Sequence, residues 1–225
     1  MKQENENKDK IVMITDSGES VDFYVLEETR INATGYLLVT DAPEGEDGEC
    51  YILKDVSGQQ DAEAIYEFVE NEDELDGVFR VFEQLLADAD YPEKLRRGRL
   101  DEVRPCLGCH EGCLGRISRG PVSCAVNPAC GREAIYGITP APKQKTVLIV
   151  GGGVAGCECA RVAAERGHKV ILCEKLARLG GNLIPGGVPE FKRYDHQLVR
   201  WYERQLELAG VEVRLEQEMN ATEVE

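Results

Sequence analysis

The sequence predicts an α/β C-terminal half, a cysteine-rich loop segment before it, and a small acidic α+β domain at the N-terminus. The formal charge is −19 over residues 1–90 and +3 over residues 91–225, which together give the −16 of the 225-residue chain. Five of the nine cysteines fall between residues 106 and 130. From residue 145 onward, strand and helix patterns alternate. We therefore predict three segments, 1–90, 91–140 and 141–225.

Composition excludes several classes of protein. The acidic N-terminal half would repel phosphate, so we expect no nucleic-acid partner. No stretch reaches the roughly 18 to 20 uncharged apolar residues that a membrane helix needs, and the opening MKQENENKDK has no apolar signal region. An odd number of clustered cysteines does not fit a secreted disulfide scaffold. We expect a cytoplasmic protein without a membrane partner.

Residues 1–90 predict short strands followed by one helix. Residues 11–69 show short apolar runs between polar breaks, and in VDFYV the side chains of Val21, Phe23 and Val25 share one face. Asn71 and Glu74 stand at capping-box spacing. After them, apolar residues recur at helical spacing and predict an amphipathic helix. These residues are Leu75, Val78, Phe79, Phe82, Leu85 and Leu86.

The acidic segment shows no motif that carries chemistry. Its carboxylates are scattered, no calcium-binding loop pattern is present, and we interpret them as a solvated acidic surface. The order of features resembles a small acidic bacterial family of unknown function, the YrzB-like domains. The opening KIVMITDSGESVDFYVLE, the strand GYLLV, the acidic loop 41–49 and the closing helix carry this resemblance, over about residues 8–88. It implies no activity.

The segment 91–140 opens with YPEKLRRGRLDEVRP, which we interpret as a basic loop, and continues with clustered thiols. Cys106, Cys109, Cys113 and Cys124 follow the spacing C-x2-C-x3-C-x10-C. Four thiolates suit zinc or an iron–sulfur cluster, and three crowded ligands with one remote ligand favour [4Fe–4S]. Cys130 could also complete the set. His110, inside the loop, is expected to be solvated or to lie beside the ligands.

A specific resemblance supports the iron–sulfur interpretation. RPCLGCHEGCLGRI…SCAVNPACGRE is similar to the linker of the flavin- and iron–sulfur-containing relatives of old yellow enzyme, such as 2,4-dienoyl-CoA reductase, 2-enoate reductase and trimethylamine dehydrogenase. In that family the linker follows an FMN-binding (β/α)₈ barrel and binds one [4Fe–4S] cluster. The match implies that Cys106, Cys109, Cys113 and Cys124 are the ligands. Cys130 falls where the family tolerates alanine.

Residues 146–175, TVLIVGGGVAGCECARVAAERGHKVILCEK, predict a Rossmann-type βαβ unit that binds a dinucleotide. Gly151, Gly153 and Gly156 fit G-x-G-x-x-G between a buried strand and a helix that begins with Val154 and Ala155. That helix start would face the pyrophosphate. Glu174 follows the second strand, where a carboxylate can accept hydrogen bonds from ribose hydroxyls. Three more cysteines, Cys157, Cys159 and Cys173, are expected to be small core residues.

The residues after Glu174 favour FAD. RLGGNL, with Gly181 and Asn182, resembles the segment after the ribose acid in FAD-binding folds, although that family usually has glutamine where Asn182 stands. The resemblance implies FAD, with ADP alone as the alternative, as in trimethylamine dehydrogenase. GVPEFKRYDHQLVRWYERQLELAG then predicts an amphipathic helix in which Trp201 and Tyr202 pack, and VEVRLE a further strand.

The resemblance implies an FAD- and [4Fe–4S]-dependent oxidoreductase of the NADH:flavin oxidoreductase or enoate reductase type. The chain lacks the family's barrel and ends within the FAD domain, so we expect a fragment, a fusion or an incomplete gene model that keeps only the electron-relay part. FMN is expected only on the absent barrel, and NAD(P)H and an enoate-type substrate only if the missing domains are supplied. We assign no catalytic residue.

Two other functions remain open. The first is a non-catalytic acidic domain protein with a vestigial nucleotide-binding C-terminal half. The second is a zinc-stabilised nucleotide-binding module.

Overall fold

A computed structural model describes residues 10–14, 19–43, 48–58, 64–117, 122–220 and 222. The chain forms two compact units. The first comprises the described parts of Met1–Leu86 and Cys109–Gly131, and the second those of Ala87–Gly108 and Arg132–Glu225. The cysteine-rich segment is therefore divided between the units. Residues 44–47 of the predicted acidic loop lie outside the described residues.

The described residues form eight strands and seven α-helices. The strands are β1 Lys10–Ile14, β2 Ser20–Ile31, β3 Thr34–Thr40, β4 Cys50–Asp55, β5 Tyr66–Phe68, β6 Thr146–Val150, β7 Lys169–Cys173 and β8 Glu212–Arg214. The helices are α1 Glu72–Ala87, α2 Tyr91–Arg96, α3 Leu114–Ile117, α4 Glu133–Tyr136, α5 Val154–Glu165, α6 Leu183–Gly186 and α7 Arg193–Leu208, and 3-10 turns occupy Leu100–Glu102 and Glu190–Lys192.

In the described residues of the first unit, β1 to β5 form an antiparallel sheet in sequence order. Asn32 and Ala33 connect β2 to β3 with φ of 49° and 70°. Two successive positive φ angles belong to a two-residue hairpin turn whose twist matches that of the strands, and asparagine tolerates them best after glycine. This turn pairs Ile31 with Thr34 and sets the register of both strands.

Each face of this sheet carries a buried apolar cluster. On one face, Phe23, Leu37, Val39 and Leu53 pack together, and Val21 and Val25 pack against them as the alternation in β2 predicts. On the other face, strand residues pack against the apolar side of α1. That cluster contains Tyr36, Leu38, Ile52, Val69, Val78 and Phe82.

The predicted cap and apolar face of α1 are confirmed, with one exception. The Asn71 side chain accepts a 2.9 Å hydrogen bond from the backbone N–H of Glu74, which satisfies a donor that the first turn leaves unpaired. Val78 and Phe82 are buried. Leu75, however, is 38% exposed, because it lies in the first turn, outside the cluster that the helix forms with the sheet.

The second unit has the α/β arrangement that the sequence predicts. In its described residues, β6, β7 and β8 form a parallel sheet in that order. The chain passes from β6 through α5 to β7, and from β7 through α7 to β8. Gly167, with a φ of 89°, follows the last turn of α5 and ends the helix. The α/β class is thus confirmed.

The prediction of a basic loop at 91–105 is wrong in part, because α2 and a 3-10 turn form there. Pro92 lies in the first turn of α2, where its missing N–H costs nothing. Asp88 accepts hydrogen bonds from Lys94 Nζ at 2.6 Å and from the N–H of Arg104 at 2.8 Å. Such short helices carry no detectable apolar period, so the sequence pattern missed them.

Trp201 and Tyr202 on α7 are buried, as predicted for packing residues. The indole N–H of Trp201 donates a 2.9 Å hydrogen bond to the carbonyl oxygen of Glu102. The guanidinium of Arg104 lies 4.5 Å from the centre of the Trp201 ring, a cation–π contact. Burial lowers the pKa of Arg104, and the nearby Arg161 lowers it further.

The interpretation of the helix and strand cysteines as core residues is correct for two of the three. Cys157 and Cys173 are buried. Cys159 is exposed. Residues 157, 160 and 161 form the buried side of α5. Since a helix turns about 100° per residue, Cys159 lies on the other side.

Candidate functional site

The glycine-rich loop joins β6 to α5 at the carboxyl end of β6. Gly151 has a φ of 102°, in the region that side-chain-bearing residues rarely adopt. Its N–H donates a 2.8 Å hydrogen bond to the carbonyl oxygen of Cys173, the last residue of β7. The loop therefore leaves the sheet next to the end of the second strand, as a dinucleotide-binding βαβ unit requires.

Gly153 and Gly156 have different reasons to be glycine. A Cβ on Gly156 would lie 1.8 Å from the carbonyl oxygen of Gly151, so the start of α5 can approach the loop only without one. A Cβ on Gly153 would meet no described atom within 4 Å, and its φ of −74° suits any residue. Packing among the described residues thus explains Gly156, whereas the space beside Gly153 is open.

The first turn of α5 faces this open space. Gly153 is the N-cap, and the first backbone bond of the helix runs from the N–H of Cys157 to the Gly153 carbonyl oxygen at 2.9 Å. The N–H groups of Val154, Ala155 and Gly156 precede that bond and have no acceptor within the helix. Together with the helix dipole they favour an anionic group such as a pyrophosphate.

Glu174 lies directly after β7 and is buried, with 7% of its surface exposed. Its Oε2 accepts a 2.6 Å hydrogen bond from the N–H of Gly152, and its Oε1 a 2.8 Å bond from that of Leu176. Burial raises the pKa of Glu174, but the hydrogen bonds from Leu176 and Gly152 outweigh it and hold the pKa below its usual range. The carboxylate therefore shapes the glycine loop itself.

Gly181 comes against the same loop. The N–H of Gly180 donates a 2.8 Å hydrogen bond to the carbonyl oxygen of Gly152. Gly181 has a φ of 51°, and a Cβ there would lie 3.1 Å from the Cα of Gly153. Asn182 follows as the N-cap of α6. The predicted loop, helix start, acid and second glycine segment are thus neighbours in the structure.

Gly152 and Leu179 also shape the site, although the sequence pattern did not predict a role for them. A Cβ on Gly152 would lie 2.4 Å from Leu179 Cδ2 and 3.1 Å from the Cβ of Glu174. Leu179 is buried under the loop. The run of three glycines, one more than the motif needs, was the available signal. Gly152 is required because Leu179 and Glu174 fill the space beneath it.

The four predicted cluster ligands are distributed over the two units. Cys106 belongs to the second unit, and Cys109, Cys113 and Cys124 to the first. The Sγ of Cys106 accepts a 3.3 Å hydrogen bond from the N–H of Gly108, whose φ is 62°. N–H groups that face a cysteine sulfur are among the interactions that stabilise thiolate ligands and tune clusters.

In the first unit, a backbone hydrogen bond joins the segment before Cys113 to the segment before Cys124. The N–H of Ser123 donates a 2.8 Å hydrogen bond to the carbonyl oxygen of Gly112. A Cβ on Gly112 would lie 2.5 Å from the Ser123 carbonyl oxygen, so glycine is required for this approach. Cys113 and Cys124 each directly follow one of these two residues. Burial raises the pKa of the Cys113 thiol.

The described residues contain no group of three or more His, Cys, Asp or Glu side chains arranged to hold a metal ion. By donor type, the four thiols fit an iron–sulfur cluster or zinc. Cys106, Cys113 and Cys124 are half-buried and Cys109 is exposed, whereas Cys130 is buried. The assignment of the four cysteines as ligands stays a prediction.

His110 contacts α1 in the first unit. Its Nε2 lies 2.8 Å from Oε1 of Glu83, and its ring meets Phe79 edge to face at 6.4 Å between centroids. The side chain of Glu83 is 11% exposed and that of His110 51%. Burial raises the pKa of Glu83, and the proximity of His110 and Arg80 offsets part of that effect. The expectation that His110 is solvated is correct for part of its surface.

Two segments of the chain match known protein families. Residues 146–222 match the family described as FAD dependent oxidoreductase. Residues 16–87 match a family described as protein of unknown function (DUF1292). The resemblances predicted from the sequence are confirmed.

Similar proteins are oxidoreductases by name. Over 132 residues the chain is 61% identical to cinnamate reductase of Clostridium sporogenes, and over 133 residues it is 44% identical to NADH oxidase of Thermoanaerobacter brockii. Each match covers 58% of this chain and 20% of the relative. The chain thus spans about a fifth of the length of these relatives.

The solved structures that are similar to this chain include a reductase and a dehydrogenase. A 2-naphthoyl-CoA reductase in complex with 2-naphthoyl-CoA matches with a TM-score of 0.62 and 34% identity, over 63% of this chain and 22% of that one. Histamine dehydrogenase from Rhizobium sp. 4-9 matches over the same shares with a TM-score of 0.58 and 26% identity.

In the part of the chain that the structure describes, no helix has the length and apolar character to cross a bilayer.

Proposed function

We propose that this chain serves in an FAD- and [4Fe–4S]-dependent oxidoreductase of the NADH:flavin oxidoreductase or enoate reductase type. The observation that carries the proposal is the open glycine loop. It presents the N-terminus of α5 and the empty side of Gly153 to a ligand, and it lies within the residues that match an FAD-dependent oxidoreductase family.

For the dinucleotide, we assign a Rossmann-type site. Gly151, Gly153 and the N–H groups at Val154, Ala155 and Gly156 would hold the pyrophosphate. A carboxylate has about four lone-pair sites. Glu174 therefore has capacity for ribose hydroxyls beside its two backbone bonds.

Gly181 and Asn182 would lie beside the pyrophosphate, because Gly181 contacts the loop at Gly153. FAD, when bound, supplies hydride and single-electron transfer. ADP alone would use the same loop, the same helix start and Glu174.

For the cluster, we assign Cys106, Cys109, Cys113 and Cys124 as ligands. Three of them belong to two segments that approach each other closely at Gly112 and are joined by the Ser123–Gly112 hydrogen bond. The fourth, Cys106, accepts a backbone N–H. These features support thiolate ligation, and zinc is the competing metal for the same donors. The buried Cys130 is left out of the set.

The substrate class is suggested by the relatives, which are much longer than this chain. The enoate reductase type implies NAD(P)H as the reductant, FMN on a barrel and an activated carbon–carbon double bond as the acceptor. The chain spans about a fifth of the relatives that suggest this reaction. We therefore propose that its role is to bind cofactors, and we assign no acid or base to it.

Cofactor content tests the proposal. The full chain, expressed and purified without oxygen, is assayed for iron, acid-labile sulfide, zinc and flavin. We expect about four iron and four sulfide per chain, together with FAD. Zinc in place of iron would replace the cluster by a structural metal site. Bound ADP without flavin would retain the nucleotide site and exclude FAD as its ligand. Soluble protein with none of these would overturn the proposal and favour a function in the acidic domain alone.

A further inference from the structure

In the first unit, the cysteine-bearing segment packs on α1. We call this segment, described over residues 109–117 and 122–131, the cysteine loop. Its residues belong to the same compact unit as the acidic sheet and α1, whereas Cys106 and the glycine loop belong to the other. Two separate contacts join the cysteine loop to the C-terminal half of α1, one at His110 and one at Asn127.

The first contact joins His110 to Glu83. Nε2 of His110 lies 2.8 Å from Oε1 of Glu83, and Phe79, one helical turn earlier on α1, meets the imidazole edge to face. His110 has a φ of 55°, and its carbonyl oxygen accepts a 2.8 Å hydrogen bond from the N–H of Gly115. The backbone between Cys109 and Cys113 therefore turns at the residue whose side chain α1 holds.

The second contact is at the end of α1. The side-chain amide of Asn127 donates a 3.0 Å hydrogen bond to the carbonyl oxygen of Leu86. That carbonyl lies in the last turn of the helix, where no later helical N–H is available to it. Val126, the preceding residue, is buried. The part of the loop that follows Cys124 is thus held by a group that the helix leaves unpaired.

From these contacts we infer that the C-terminal half of α1 is the docking surface of the cysteine loop and that Glu83 is a positioning residue for Cys109 and Cys113. The acidic N-terminal domain then has a defined task, which is to hold three of the four cysteines in place. The inference about the loop stands on geometry alone. Its consequence for iron binding rests on the proposed function.

Amide hydrogen exchange on the full chain tests the positioning. Two hydrogen bonds report on the loop, from Gly115 to His110 and from Ser123 to Gly112. In Glu83→Ala we expect these two amides to exchange about three- to tenfold faster, as for the loss of one polar contact to a charged group with a half-exposed partner. Peptides from α5, in the other unit, should exchange as in the wild type.

Matched variants separate position from charge. Glu83→Gln keeps an oxygen beside His110 but removes the charge, so we expect the two loop amides to exchange within about twofold of the wild type. Asp76→Asn removes a charge from the exposed part of the same helix and should change nothing in the loop. Unchanged exchange in Glu83→Ala would overturn the inference. Equal acceleration in Asp76→Asn and Glu83→Ala would also overturn it, because the charge of α1, and not the contact with His110, would then be the cause.

His110→Ala removes the same contact from the exposed side and covers the case in which Glu83→Ala does not fold. We expect it to accelerate exchange at Gly115 and Ser123 as Glu83→Ala does, with thermal unfolding near that of the wild type. Wild-type exchange in this variant would contradict the docking.

Reconstitution with ferrous iron and sulfide then distinguishes the two proposals. If the wild type assembles a cluster, we expect Glu83→Ala to retain less iron and to show a changed visible spectrum, with rescue in Glu83→Gln. If the wild type binds no iron but the exchange pattern is as expected, the docking stands and the iron–sulfur function fails. If iron binds and exchange is the same in all variants, the docking fails and the function stands.

Discussion

Oε2 of Glu174 accepts a 2.6 Å hydrogen bond from the backbone N–H of Gly152. This bond joins the residue after the second strand to the centre of the glycine loop, 22 positions earlier in the chain. The acid that sequence motifs assign to ribose binding is therefore also a structural partner of the glycine loop, and the two roles are separable by experiment.

Glu174→Gln should destabilise the second unit. The amide offers an oxygen to only one of the two backbone donors, so we expect a loss of about 1–3 kcal/mol in the free energy of unfolding at neutral pH. Trp201, the single tryptophan, lies in the second unit and reports its unfolding in urea by fluorescence. An unchanged midpoint would show that these bonds contribute nothing.

The stability contributed by Glu174 should depend on pH. Because its pKa in the folded unit lies below the usual value, the folded state binds fewer protons than the unfolded state. The contribution is therefore fully present above the ordinary glutamate pKa of about 4.3 and is lost as pH falls through the lower folded pKa. We expect the difference between wild type and Glu174→Gln to shrink as the pH of the urea titration is lowered below 5 (an approximate bound). A constant difference would contradict the assignment.

Alanine substitutions at two glycines of the loop should differ in their effect on stability. Gly156→Ala places a Cβ 1.8 Å from a backbone oxygen, so we expect the second unit to lose about 3 kcal/mol or more of stability. Gly153→Ala places its Cβ in open space at an ordinary φ, so stability should stay within about 0.5 kcal/mol of the wild type.

Dinucleotide binding completes that comparison. Gly153→Ala, although folded, should bind ADP or FAD more weakly, because its methyl group occupies the approach to the pyrophosphate. Isothermal titration with ADP and the urea midpoint from Trp201 fluorescence measure the two effects. Normal affinity in Gly153→Ala would exclude the loop as the nucleotide site.

Removing one proposed cluster ligand should abolish iron binding without unfolding the chain. We expect Cys109→Ala to lose the iron and sulfide of the purified protein, because the cluster would lose one of its four thiolates. The chain should stay folded, because Cys109 is exposed and packs little. Cys159→Ser is the matched control, since Cys159 is also an exposed thiol but lies on α5, away from the motif. Full iron retention in Cys109→Ala would remove it from the ligand set.

Asp88 should stabilise the segment that precedes Cys106. It is buried, pairs with Lys94 and accepts the N–H of Arg104. Asp88→Ala leaves the lysine and the backbone donor without this partner, so we expect a loss of about 3 kcal/mol, measured by Trp201 fluorescence in urea. Asp90→Ala, at an exposed position nearby, should cost less than about 1 kcal/mol. Equal losses would show that burial of Asp88 is not the cause.

Local patterns in the sequence predicted many of the elements. Alternation in VDFYV, the Asn71–Glu74 cap and the apolar spacing of α1 reflect forces that act within a few residues, and each appears in the structure. The glycine spacing predicted the loop for the same reason, since a tight turn and a close helix start are local geometric demands. The short helix α2 was missed because six residues show no period.

Tertiary structure decided what depends on residues distant in sequence. That Cys159 is exposed while Cys157 is buried follows from which side of α5 meets the rest of the unit. The bond from Gly152 to Glu174, the space above Gly153 and the division of the cysteines between two units required the folded chain. The sequence alone determined which residue types are available for chemistry, because a motif is defined by its residue types and their spacing along the chain. Which of them touch, and which of them α1 holds in place, depended on packing between elements that the chain brings together only when it folds.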